Sequence, residues 1–124
     1  MCLFTDDVCA SIAKSDITCY KVVKMTACCF ISKYRDFTYN LGEEYTENSF
    51  EETIGITGIV RYGFHSYRTL KEARNNSWLS YVLLKCVIPK NARYYISKDK
   101  KEYCSDSIKI IAWKPTCSKW NNKI

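Results

Sequence analysis

The chain has 124 residues, of which 47% are hydrophobic and 26% charged, with four glycines and two prolines, a balance that excludes a disordered, collagen-like or low-complexity chain. No apolar run approaches the roughly 18 residues of a membrane span. The formal net charge of +6 is unevenly spread: residues 36–60 carry six acidic side chains and no Lys or Arg, whereas residues 85–124 carry ten Lys or Arg against Asp99, Glu102 and Asp106.

Thr5 reads as a helix cap, and Cys9, Ile12 and Ala13 follow at helical spacing, so residues 5–14 predict a short helix ending near Lys14. Residues 16–25 predict a strand, with Ile17, Cys19 and Val23 on one face and Tyr20 and Val22 on the other. A second strand is expected over 27–31. Phe37, Tyr39 and Leu41 alternate up to a turn at Gly42 and predict a third. The acidic, polar stretch 43–53 reads as an exposed loop. Ile54, Ile56, Ile59 and Val60, interrupted by Gly55 and Gly58, predict a bent or bulged strand.

Thr69 and Glu72 form a capping-box pattern, which predicts a helix over about 69–78 with Leu70, Ala73 and Trp78 toward the core. Asn75 and Asn76 weaken it and keep it short. Residues 81–88 are apolar on both faces except at Lys85, the pattern of a central strand, and Pro89 ends its hydrogen-bonding ladder. Residues 92–96 and 107–113 read as an antiparallel pair joined by the charged loop 97–102. The expected fold is a single α+β domain over 1–124, a mainly antiparallel sheet with one short helix packed on it.

The eight cysteines (Cys2, Cys9, Cys19, Cys28, Cys29, Cys86, Cys104 and Cys117) lack the short paired spacings of zinc sites. Cys19 and Cys86 sit inside apolar alternation, where a thiol behaves as a small hydrophobe. On a strand, adjacent Cys28 and Cys29 point to opposite faces, which argues against one shared metal. Residues 1–14 carry Asp6 and Asp7 and no basic segment followed by an apolar one, unlike a secretory signal. Reduced thiols in a cytoplasm are therefore expected.

His65, the only imidazole, is the first candidate for chemistry. As a general base it needs a carboxylate or a nucleophile beside it, and neighbouring Ser66 would face the other way on a strand. A structural histidine near the helix start is the favoured reading. The glycines match no phosphate-cradling fingerprint. A second candidate is the basic, aromatic C-terminal third, where Lys90, Arg93, Tyr94 and Lys98 could neutralise phosphates and stack on bases. The competing reading places Tyr94 or Tyr95 in the core with the lysines on a solvated face.

Four segments resemble the landmarks of a family of small uncharacterised proteins from tailed phages and gut Bacteroidetes. They are Asp16-Ile17-Thr18-Cys19-Tyr20-Lys21, Phe37-Thr38-Tyr39-Asn40-Leu41-Gly42, Gly63-Phe64-His65-Ser66-Tyr67 and Lys85-Cys86-Val87-Ile88-Pro89-Lys90. The resemblance spans most of residues 12–111 and implies a phage or mobile-element setting, without bringing an activity. Val87-Ile88-Pro89-Lys90 and Tyr94-Tyr95-Ile96 also look similar to strands of the ADP-ribosyltransferase fold, with Arg61 in place of its early arginine. That family's catalytic Glu-x-Glu reads Ser105-Asp106-Ser107 here.

The expectation is thus a non-enzymatic binding protein of phage or mobile-element origin. It would counter host defence by masking a host protein or by sequestering an anionic nucleotide signal. Two alternatives stay open. One is a nucleotide- or NAD-acting enzyme of ADP-ribosyltransferase-like fold, with His65, Arg61 and Tyr67 in its site. The other is a nucleic-acid-binding protein using the basic C-terminal third. A ligand would meet Arg61, His65, Lys90, Arg93, Tyr94 and Lys98. No cofactor, metal or membrane partner is expected, and a homo-oligomer is compatible with the split charge.

Overall fold

The computed structural model describes residues 3–25, 30–32, 37–54, 58–76 and 81–115. In chain order the strands are β1 (Leu3–Phe4), β2 (Ser11–Ile12), β3 (Ile17–Met25), β4 (Phe30–Ser32), β5 (Thr38–Tyr39), β6 (Glu44–Thr46), β7 (Ile59–Val60) and β8 (Phe64–Tyr67). Helix α1 (Leu70–Asn75) follows, then β9 (Tyr81–Ile88), β10 (Arg93–Ile96), β11 (Glu102–Ser105) and β12 (Ser107–Pro115). Among the described residues the architecture is mostly β: an antiparallel sheet with one short helix. No helix among the described residues is long and apolar enough to cross a membrane.

The main sheet runs β2-β10-β11-β8-β3-β9-β12-β6, while β4 bridges β3 and β5, and β1 pairs with β7 in a separate ribbon. Strands β3 and β9 form its centre, in continuous register from Ile17 opposite Ile88 to Lys24 opposite Tyr81. Their apolar residues on both faces require cover on both sides, and the remaining strands and the helix supply it.

The sheet curls strongly. Strand β6 lies at one end of the order and β8 in its middle, yet Tyr45 of β6, Tyr39 of β5 and Phe64 of β8 meet ring to ring, with centroids 5.4–6.5 Å apart. Phe30 of β4 likewise meets Trp113 of β12 at 5.8 Å. The concave inner face encloses Cys19, Val23, Leu84, Cys86, Ile88, Ile108 and Ile110, all fully buried. On the outer face Ala73 of α1 packs against Val22 and Leu83. Burying a side chain such as Leu83 contributes about 1.5–3 kcal/mol. A further cluster has Leu3, Phe50, Ile54 and Val60 covering Tyr95 and Cys104.

Helix α1 starts where its cap predicts: the Thr69 hydroxyl accepts the Glu72 amide at 3.2 Å. At its other end the Asn76 side chain donates to the Glu72 carbonyl at 2.8 Å. Trp78 and the Cys28-Cys29 pair lie outside the described residues. Gly63 has φ +139°, and a Cβ there would sit 2.6 Å from the Cys104 sulfur and 3.0 Å from the Ser105 carbonyl. Only glycine lets β8 enter beside β11 at this point.

Three expectations are corrected. Residues 5–14 form no helix, because other segments take their backbone groups: Ala10 N donates to Glu52 O and Ala13 N to Ala92 O. The Thr5 hydroxyl binds the Ile96 carbonyl and accepts the Asp7 amide, stabilising a turn. The acidic stretch is not all loop, since β6 pairs with β12 and Phe50 is buried. Finally, β10 pairs with β11 rather than with the 107–113 segment, which belongs to β12 and pairs with β9. A tight turn at 97–101 places Tyr103 opposite Ile96.

Candidate functional site

Ser97 builds that turn. Its hydroxyl accepts the Lys101 and Glu102 amides at 3.1 and 3.0 Å and donates to Asp99 Oδ1 at 2.6 Å. Lys100 adopts a left-handed φ of 64°, and its amide closes on the Ser97 carbonyl at 2.9 Å. The Arg68 guanidinium holds the turn from outside, donating to the Lys100 carbonyl at 3.0 Å. Strand β1 is tied alongside by the Lys98 amide, 2.7 Å from the Phe4 carbonyl.

These contacts frame a cleft of about 360 Å³ on the outer face of the sheet. Leu3 and Phe4 form its apolar wall, Ser97, Lys98 and Asp99 come from the turn, and His65 and Glu102 from the sheet. His65 lies opposite Cys104 and Glu102 opposite Tyr67 on paired β8 and β11, so His65 and Glu102 are diagonal neighbours on one face. Phe4 is 64% exposed at the rim.

The two carboxyls are driven apart. Hydrogen bonds from the Ser97 hydroxyl and the Lys101 amide hold Asp99 below the usual carboxylate range. Glu102 is pushed up, first by burial and then by the charge of Asp99, while Lys21 pulls the other way. Among the described lining residues the only hydroxyl, that of Ser97, is fully engaged in the turn. The chemistry therefore suits holding a cation or a hydrogen-bond donor better than nucleophilic attack.

Of the residues singled out from sequence, the structure brings His65 and Lys98 together here. Arg61 is exposed after β7 and does not line the cleft, and Tyr67 turns toward the helix cluster. Arg93 is engaged elsewhere: its Nε meets Asp106 Oδ2 at 3.0 Å, its NH1 pairs with Glu52, and its guanidinium lies 5.7 Å from the Phe50 ring. Tyr94 packs edge-on against Tyr103 with centroids 5.7 Å apart. Lys90 is exposed, and its amide donates to Asp16.

Sequence reasoning missed a second cluster, on the inner face. Cys19 and Cys86 stand directly opposite each other on β3 and β9, both fully buried. Lys21, two residues along the same face, is also buried, its ammonium donating to the His65 carbonyl and lying 5.2 Å from the centre of the Tyr39 ring. Burial raises the Cys19 thiol, but the Cys86 thiol, the Ser66 hydroxyl and the Lys21 charge outweigh it and bring Cys19 below its ordinary value. Cys86 moves well upward through burial, its hydrogen bond to Cys19 and the Cys19 charge. The alternation marked both cysteines as inward, but only the strand register reveals them as partners.

Among the described residues no three His, Cys, Asp or Glu side chains gather as a metal site. No protein-family model, curated protein or solved structure matches the chain.

Proposed function

We propose that the chain is a stoichiometric protein-binding module that docks a partner over the cleft beside His65, without catalysing a reaction. The observation that carries this reading is the exposed Phe4 at the mouth of a mixed-charge cleft. An aromatic anchor beside a pocket is the usual core of a protein interface, and Asp99 and Glu102 outnumber Lys98 within it. The partner's inserted group is accordingly a basic side chain. In the phage or mobile-element setting that the family resemblance implies, the partner is a component of host defence. The nucleotide reading draws less support, because Arg93 is neutralised by Glu52 and Asp106 and Tyr94 packs on Tyr103.

The test is affinity capture from a bacterial host lysate with the wild-type chain and with Phe4→Glu, Asp99→Lys and Lys90→Glu variants. A partner retained by wild type and Lys90→Glu but lost by the other two supports the assignment. Equal capture by all four chains would refute it, as would micromolar calorimetric binding of a cyclic or linear nucleotide.

A further inference from the structure

The paired thiols on the inner face carry an inference independent of the cleft. We propose that Cys19 and Cys86 form an oxidisable dithiol that peroxide converts to a cross-strand disulfide, with Cys19 as the attacking sulfur and Cys86 as the resolving one.

Geometry supports the bond itself. Residues directly opposite on antiparallel strands have Cα atoms about 4.5 or 5.5 Å apart, according to the type of pair. Both separations fall within the roughly 4.4–6.8 Å that a disulfide spans. The register runs unbroken on both sides of the pair, so closure needs side-chain rotation and no strand shift. Both side chains project from opposed positions onto the same fully buried face.

The surroundings assign the roles. Lys21 sits buried on the same face as Cys19, two residues along β3, and its ammonium favours thiolate over thiol there. Ser66, buried on β8, flanks β3 on the side away from β9. Cys86 keeps its proton longer, so Cys19 is the first of the two to react and Cys86 gives up its proton only as it attacks. Complete burial of both residues selects a small oxidant: a peroxide is little larger than water, whereas a bulky disulfide cannot reach either sulfur.

The chemistry balances. The Cys19 thiolate attacks one peroxide oxygen, the O–O bond breaks, and the departing hydroxide takes up a proton to become water. Cys19 is now a sulfenic acid. The Cys86 sulfur then attacks the Cys19 sulfur, the S–O bond breaks, and hydroxide leaves as water with the Cys86 proton. Two thiols and one peroxide give one disulfide and two waters, and two electrons pass from sulfur to oxygen.

The experiment treats the folded full-length chain with hydrogen peroxide or with oxidised glutathione, blocks remaining thiols in denaturant, and maps tryptic peptides by mass spectrometry. Residues 15–21 and 86–90 are separate tryptic peptides with one cysteine each. Peroxide is expected to join them and to raise the thermal midpoint by about 10 °C. Oxidised glutathione should do so at least about tenfold more slowly, and Lys21→Met should slow the peroxide reaction by about tenfold. Cys86→Ala should stop at a Cys19 sulfenic acid captured by dimedone, while Cys19→Ala should leave Cys86 unmodified. If both thiols remain alkylatable in wild type after exposed Cys9 has been oxidised, the proposal fails. Equal rates with the two oxidants would overturn it too. The wild-type mapping decides even if a variant does not fold.

Discussion

Asp99 and Glu102 show how two carboxyls on one turn contribute to stability with opposite pH dependence. Asp99 has a lowered pKa in the fold, so its contribution is present above the ordinary Asp value of about 3.9 and is lost as pH falls through the depressed one. Glu102 is raised, so its contribution is full below about 4.3 and is lost as pH rises through the elevated value. Glu102→Gln is therefore expected to raise the thermal midpoint at pH 7 and to leave it unchanged at pH 4. The gain should stay under about 1 kcal/mol, since solvent screens this half-exposed group. Denaturation curves at the two pH values check it, and a loss at pH 7 would show that the carboxylate makes an attraction larger than its desolvation cost. Of this turn the sequence showed only the charge. Its geometry rests on one serine hydroxyl serving three partners, a feature without periodicity. His65 and Lys98 were visible singly, but their meeting depends on where β11 pairs.

Among elements, legibility followed the strength of the apolar pattern. Strands β3 and β9 announce themselves because nearly every position is apolar on one face or both, and burial then dictates their central place. Helix α1 is legible through its Thr69 cap. The edge strand β6 is not, because an edge exposes polar side chains and its acidic residues resemble those of a loop. Residues 5–14 misled because Thr5 can cap a helix or close a turn with equal chemistry, and distant carbonyls at Ile96, Glu52 and Ala92 decide the matter. This hierarchy predicts the pattern of amide hydrogen exchange. Amides of β3 and β9 should open only with global unfolding, whereas the two-residue pairing of β1 with β7 should exchange at least about 100-fold faster. Mass-resolved exchange on the full chain measures this, and equal protection of the two regions would contradict the assignment of the core.

For the molecule as a whole, the acidic and basic segments of the sequence meet within one chain instead of presenting two separate faces. Arg93 joins them: it binds Asp106, which is nearly buried with its side chain 11% exposed, and Glu52, whose side chain is 70% exposed. Asp106 also accepts the Arg93 amide at 3.0 Å, and the Asp106 amide donates to the Arg93 carbonyl at 2.9 Å, so the carboxylate fixes where β10 faces the start of β12. The backbone carbonyl of Glu52 in turn receives the Ala10 amide, bringing the N-terminal segment to the same place. Removing either acid leaves Arg93 one of its two carboxylates, yet the consequences should differ in size. Asp106→Ala strips a backbone amide and a guanidinium of a screened acceptor and is expected to cost about 3 kcal/mol. Glu52→Gln removes a solvated charge and should cost under about 1 kcal/mol, an effect that disappears in high salt while the Asp106 cost persists. Urea denaturation of the two variants at low and high ionic strength separates these outcomes. Equal, salt-sensitive losses would mean that the two carboxylates act only through long-range charge and that Asp106 does not organise the junction.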